Sequence, residues 1–166
     1  MVWGMTLGTF TVIHVVLSLI GIGAGLVVLV GLIGGSYFGV WTALFLAATV
    51  LTCATGFGFP VDHVLPSHIV GVVCLVALVL AIVALYALHL RGVWRAIYVV
   101  SAGLALYLNV FVGVVQAFLK VPALHALAPQ QTEAPFLVAQ LLVLALFVVL
   151  TIAAARRFGG AAVVRV

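Results

Sequence analysis

The sequence predicts an all-α integral membrane protein, a single bundle of five transmembrane helices joined by short loops. Hydrophobic residues make up 68% of the 166 positions and charged residues only 5%, and a water-soluble domain of this size could not cover so much apolar surface with polar groups. Five stretches reach the length of about 20 apolar residues that crosses a bilayer. They are roughly 8–33, 38–58, 67–90, 94–119 and 135–155, and the only Asp, Glu, Lys or Arg within them is Arg95, next to the start of the fourth.

Helix-stopping residues mark the ends of these stretches. They are Gly34-Gly35 after the first, the run 56–60 after the second, Gly92 after the third and Gly159-Gly160 after the fifth. Pro66-Ser67 predicts a serine N-cap for the third span, and Thr132 precedes a fifth span with Pro135 in its first turn. The turn between spans three and four is very short, which predicts antiparallel neighbours. The first 33 residues contain no Lys or Arg and their apolar run is too long for a signal peptide, so we expect a retained span.

The charges are distributed unequally between the two predicted sides of the membrane. All five arginines share one side, which the positive-inside rule makes cytoplasmic, and only Lys120 lies on the other. The N-terminus is then outside and the C-terminus cytoplasmic, and we expect the membrane to be the bacterial plasma membrane. The pI of about 9.6 reflects this orientation and not nucleic-acid binding, because no basic stripe with interleaved aromatic residues occurs. The arginines are Arg91, Arg95, Arg156, Arg157 and Arg165.

Polar residues inside the spans concentrate in the predicted outer half. His14 and Ser18 are followed by small residues at helical spacing, and Asn109 and Gln116 share a second stripe on span four; both stripes are predicted to face inward. The residues would line a pocket open to the outside, or else simply form hydrogen bonds between helices. His14 favours the pocket, because an ionisable residue inside a span is costly and usually functional.

The outer loops supply further groups that can bind a ligand. Asp62, His63 and His68 form a DHxxxxH run, which lacks the spacing of a helical zinc motif, so a solvated loop is the alternative. His68 is predicted to begin the third helix, where the helix dipole favours the neutral, ligand-binding imidazole. His125 lies between Pro122 and Pro129, in a predicted short interfacial helix or passive surface turn, and Glu133 follows it.

The two cysteines, Cys53 and Cys74, lie in spans two and three. They do not form a CxxC pair, so a quinone-linked thiol oxidase is poorly supported. Small buried hydrophobic residues are the simpler interpretation, although a bridge between the two is also compatible with the sequence.

The sequence contains no GxSxG, HExxH or Walker motif, so it leaves enzymatic activity open without supporting a hydrolase, protease or kinase. We predict a protein that binds a small ligand at the outer face through histidine. The ligand would be a haem b held by His14 and His68, with Asn109 and Gln116 lining the pocket, or a copper or zinc ion. The candidate metal ligands are His14, His63, His68, His125, Asp62 and Glu133.

Two other classes of function remain open. A transporter or channel for a small solute would use the same polar pocket, although the inner halves of the spans are nearly all apolar and no paired broken helices are visible. An accessory or scaffold subunit would dock its apolar faces on a larger membrane complex. Besides the lipid bilayer, the expected partners are therefore a small molecule or metal ion, further copies of the chain, or another membrane protein.

Overall fold

The computed structural model describes residues 2–60 and 66–159, and this part of the chain is an all-α bundle that contains the five expected spans. The elements are α1 Leu7–Ile33, α2 Gly39–Gly56, α3 Pro66–Ile82 extended by a π-helical turn Val83–Ala87, α4 Trp94–Lys120, the short α5 Pro122–Leu127, and α6 Ala134–Gly159. Each of the five long helices has the length and composition of a membrane-crossing segment, so the chain is a multi-pass membrane protein.

Most helix ends follow the sequence signals. Thr6 caps α1 by accepting a hydrogen bond from the Thr9 amide at 3.1 Å, and Gly35 follows the helix with φ +74°, a backbone conformation that favours glycine. Pro122 begins α5, as predicted, because a proline in the first turn has no helical hydrogen bond to lose.

The third span differs from its prediction at both ends. Helix α3 begins at Pro66, so Ser67 lies inside the first turn and is not the N-cap. At the other end the helix widens into a π turn and stops at Ala87, before His89 and Leu90, which both have positive φ. This irregular turn places Leu90 in the core, where it is 1% exposed.

Helix α4 is the centre of the bundle. It contacts α1, α2, α3, α5 and α6, whereas α1 packs on α2 and α6, and α2 packs on α3. The buried face of α4 is rich in small side chains, including Ser101, Ala102, Gly103 and Ala105, which lets neighbouring helices approach closely. A Cβ on Gly103 would lie 2.6 Å from Thr151 Oγ1 of α6, so this close approach requires a glycine.

The bundle has two chemically different ends, because successive spans run in opposite directions. We call the end where α1, α3 and α6 begin the histidine face, since it carries His14, His68, His125 and Glu133. The opposite end is the arginine face, with Arg91, Arg95, Arg156 and Arg157. There the Arg95 guanidinium lies 5.9 Å from the centre of the Phe158 ring.

Two polar side chains are buried in the half of the bundle nearer the arginine face. Thr42 and Tyr98 are both fully buried there. The main hydrophobic core is formed by aliphatic and aromatic side chains, which include Leu78, Leu85 and Phe158.

Candidate functional site

His14 lies two turns into α1 and is held by a residue of the neighbouring helix. Its Nδ1 atom is 2.8 Å from Oγ1 of Thr55, 41 positions away near the end of α2. Thr55 is itself buried, and its hydroxyl group is also 2.8 Å from the carbonyl oxygen of Leu51 and 3.1 Å from that of Thr52. The imidazole is therefore anchored to the end of α2 through a hydroxyl that is fixed by its own helix.

This arrangement favours one tautomer of His14. A threonine hydroxyl has one proton, and here two carbonyl oxygens of the preceding turn accept it, which is the usual bonding of threonine inside a helix. The Thr55 oxygen then accepts a hydrogen bond from Nδ1–H of His14. In the neutral imidazole, Nε2 consequently has no proton and presents a lone pair.

A chain of aromatic ring contacts runs from His14 toward the histidine face. The ring of Phe59 lies 5.3 Å from the imidazole, edge to face, and the Phe10 ring lies 5.0 Å from Phe59. Trp3 packs edge-on against Phe10 at 5.4 Å. A Cβ on Gly58 would lie 2.8 Å from Phe10 Cζ, so the glycine lets the chain after α2 fold back over this cluster.

His68 is the third residue of α3 and contacts the next part of the same α2 end. Its ring stacks on Phe57 at 5.6 Å with an interplanar angle of 14°. A Cβ on Gly71 would come within 3.1 Å of the Phe57 ring, so Phe57 is wedged against the first turns of α3. His14 and His68 thus contact residues 55–59 from α1 and α3 respectively.

A second polar layer lies deeper in the bundle and includes the predicted pair on α1 and α4. Ser18 Oγ donates a hydrogen bond of 2.8 Å to Asn109 Oδ1, and the Asn109 amide reaches the Ser18 carbonyl oxygen at 3.5 Å. Thr49 of α2 lies at the same level of the bundle. A Cβ on Gly21 would lie 2.9 Å from the Thr49 hydroxyl oxygen and 3.1 Å from Asn109 Nδ2. These groups bond to each other and to the backbone, as expected of polar contacts that join helices.

The other predicted pocket residue on α4, Gln116, does not lie in this layer. Its side chain is exposed, although the stripe that it shares with Asn109 was expected to face inward. A shared stripe therefore does not bury every residue along α4, and Gln116 lies about one turn before the end of the helix at Lys120.

Two glutamines that sequence reasoning did not place against α4 bind its backbone instead. Gln140 of α6 donates to the Phe111 carbonyl oxygen at 3.2 Å, and Gln131 donates to that of Val115 at 2.8 Å. The signal available in the sequence was the rarity of amide side chains in and beside apolar spans.

The loop residues of the predicted site have separate positions. His125 is exposed on α5. Glu133 accepts hydrogen bonds from the amides of Gln130 and Thr132 at 3.2 and 3.0 Å. Partial desolvation alone would raise the pKa of Glu133, but the backbone amides around it together lower the pKa below its usual value. Asp62 and His63 lie outside the described residues.

The structure therefore gathers part of the predicted set. His14 and His68 meet the same end of α2, and Asn109 lies in the layer below them, bonded to Ser18. Within residues 2–60 and 66–159, no three side chains of the His, Cys, Asp and Glu types come together as a ready metal site.

Comparisons with known proteins returned nothing for this chain. No family model, curated protein or solved structure matches it.

Proposed function

We propose that this multi-pass membrane protein binds a small ligand at its histidine face through the Nε2 atom of His14. The observation that carries the proposal is the chain of two 2.8 Å contacts, from His14 Nδ1 to Thr55 Oγ1 and from Thr55 Oγ1 to the Leu51 carbonyl oxygen. Histidines that bind metals are commonly held through their other ring nitrogen in this way, which fixes the tautomer and the direction of the lone pair.

Between the two ligand types considered, a haem fits the described surroundings better than a copper or zinc ion. Zinc usually takes three or four protein ligands, and the described residues bring no such group together. A haem iron needs only one or two axial protein ligands, because the porphyrin supplies the other four donor atoms. The apolar surroundings of His14 are suited to a porphyrin ring: Phe59 contacts the imidazole, Phe10 packs on Phe59, and α1 has exposed apolar residues on either side of His14.

In this proposal each residue has a separate task. His14 would hold the iron through Nε2, Thr55 fixes the imidazole ring, and the Phe59 ring packs against it. His68 meets the same end of α2 from α3 and would be the second residue that holds the iron. A bound haem would give the protein an electron-transfer or gas-binding chemistry, which the cofactor supplies.

The direct experiment is an optical and metal analysis of gently purified protein made with haem precursor in the growth medium. We expect a Soret band that disappears in His14→Ala and persists in His125→Ala, which removes an exposed histidine of the same face. A bound transition metal without a Soret band would show that the ligand is a metal ion and not a haem. Absence of both, or equal ligand content in the wild type and His14→Ala, would contradict the assignment of His14 as the ligand.

A second function, that of an accessory subunit, is favoured by the surface of α6. This helix has the fewest buried residues of the five spans, and its exposed residues include Leu137, Leu141, Leu142 and Val149. Lipid can cover such a surface, and so can another membrane protein. Native mass spectrometry of the protein released from membranes in mild detergent would distinguish the two, since a docked subunit should co-purify at fixed stoichiometry.

A further inference from the structure

Helix α6 presents an exposed row of side chains that runs from the middle of its span to the arginine face. The row consists of Leu142, Val149, Ile152 and Arg156. Their spacings of seven, three and four positions place side chains on one side of a helix. The three apolar residues are 65%, 63% and 47% exposed, and Arg156 is exposed as well. We call this surface the α6 stripe.

The α6 stripe points away from the rest of the bundle. Two residues along a helix correspond to a rotation of about 200°, so Arg156 and Phe158 lie on nearly opposite sides of α6. Phe158 is fully buried, and its ring lies 6.4 Å from the Tyr98 ring and 5.9 Å from the Arg95 guanidinium, both on α4. Arg156 therefore faces the surrounding membrane and not α4.

The length of the α6 stripe matches the depth of one leaflet. Leu142 and Arg156 are fourteen positions apart, which corresponds to about 21 Å along the helix axis. The hydrocarbon region of a bilayer is about 30 Å thick, so one leaflet contributes about 15 Å. An acyl chain that extends from the level of Arg156 to the middle of the membrane would contact apolar side chains over its whole length.

The charge at this end of the bundle has one sign. Within residues 2–60 and 66–159 the only acidic side chain is that of Glu133, which lies at the histidine face. A cation in the last turn of a helix also interacts favourably with the helix dipole, but that effect does not depend on the side of the helix. A negatively charged group that meets Arg156 on its own side of α6 has to come from the membrane.

We propose that the α6 stripe binds an anionic phospholipid, with the lipid phosphate on Arg156 and an acyl chain along the three apolar residues. The planar guanidinium group can bind two phosphate oxygens at once, and basic residues beside a span attract anionic lipids. Arg157, the next residue and also exposed, lies beside the same head group. A zwitterionic lipid has the same phosphate, but its ammonium group cancels the net charge, so the stripe should select a lipid with net negative charge.

The experiment uses the full-length protein, purified in mild detergent and mixed with phosphatidylglycerol or with phosphatidylcholine of identical acyl chains. Native mass spectrometry counts the bound lipids and gives the affinity for each. We expect phosphatidylglycerol to bind about fivefold more tightly than phosphatidylcholine, and Arg156→Gln to lose this preference. Arg156→Lys should retain part of it, since lysine keeps the charge without the two-point geometry. Inorganic phosphate at the same concentration should leave the lipid bound, because it has no acyl chain.

Lys120→Gln is the matched control. It removes one positive charge from an exposed position at the histidine face and should leave the affinity for phosphatidylglycerol unchanged. Far-UV circular dichroism of both glutamine variants should match the wild type, which shows that the fold is retained. Equal affinities of the wild type for the two lipids would overturn the proposal. The same holds for an equal loss in Arg156→Gln and Lys120→Gln, for full displacement of the lipid by inorganic phosphate, or for a polypeptide at fixed stoichiometry that Arg156→Gln releases.

Discussion

At the scale of single residues, Thr55 determines what His14 can do. Without an acceptor at Nδ1, the imidazole would be free to rotate and to exchange tautomers, and Nε2 would have no fixed direction. The Thr55 hydroxyl, which is itself bonded to the Leu51 carbonyl oxygen, supplies that acceptor at 2.8 Å. The same contact also ties the start of α1 to the end of α2.

Replacing this hydroxyl should weaken both the fold and the proposed ligand binding. Thr55→Val keeps the branched shape and removes the bond, so the free energy of unfolding in detergent should fall by roughly 0.6–1.7 kcal/mol, the range for polar contacts between membrane helices. Affinity for haem, titrated by the Soret absorbance, should fall by roughly 10–100-fold, as when the partner of a ligating histidine is lost.

Thr55→Ser is the matched control, because it retains the hydroxyl and should keep most of the affinity. Equal affinity in Thr55→Val and the wild type would show that this bond does not orient a ligand.

Glu133 provides a pH-dependent contact at the histidine face. Because the folded state lowers the pKa of this carboxyl below its usual value of 4.5, the ionised group contributes stability above that pH and loses it as the pH falls through the lower folded value. Glu133→Gln cannot ionise. The difference in melting temperature between wild type and Glu133→Gln should therefore be constant from neutral pH to about pH 5 and shrink below 4.5. A difference that grows on acidification would contradict this role.

The sequence singles out His14, because an ionisable group inside an apolar span is conspicuous, and its role as a ligand stays a prediction. Sequence reasoning could not identify Thr55 as the partner, since the two are 41 positions apart and threonine is common in membrane helices.

At the scale of elements, close helix packing depends on small residues at particular positions. Gly21 and Gly25 of α1 face α2 and α4, where a Cβ on Gly25 would lie 2.5 Å from Leu106 Cδ1 and 2.8 Å from Phe45. Gly23, on the same helix, has no atom within 4 Å of such a Cβ. The spacing of the two packed glycines predicted this face, and the structure confirms that it is the buried one.

The two kinds of glycine should respond differently to alanine. In Gly21→Ala the new methyl group would meet Thr49 Oγ1 at 2.9 Å and Asn109 Nδ2 at 3.1 Å. Thr49 is fully buried and cannot move away freely, so we expect a loss of about 1–3 kcal/mol from overpacking. Gly23→Ala should leave stability unchanged or raise it slightly, because alanine favours the helix. Denaturant titration in detergent measures both, and equal effects would contradict the packing of α1.

The ends of elements were less predictable than their existence. All five spans follow from hydropathy alone, and the glycine and proline signals locate most ends. These signals do not locate the end of α3. There the π turn and the positive φ of His89 and Leu90 accompany the burial of Leu90 against the core. Tertiary packing there outweighs the local preference to continue a helix.

At the scale of the whole molecule, the two ends of the bundle carry different kinds of side chain and lie one span length apart. The histidine face carries His14, the aromatic cluster around it and the loop groups, whereas the described arginines lie at the opposite end. This separation requires an odd number of spans with the segments around Gly92 and Gln130 on opposite sides of the membrane. The proposed site is accessible from outside the cell only if, in that arrangement, the segment around Gln130 lies on the outer side.

Reporter fusions at Gly92 and Gln130 test this separation most directly. Alkaline phosphatase is active only outside the cytoplasm of a bacterial host, and a fluorescent protein that folds only in the cytoplasm gives the complementary signal. We predict phosphatase activity for the fusion at Gln130 and fluorescence for the fusion at Gly92. Both positions in one compartment would contradict the five-span bundle, and the reverse pattern would place the histidine face in the cytoplasm.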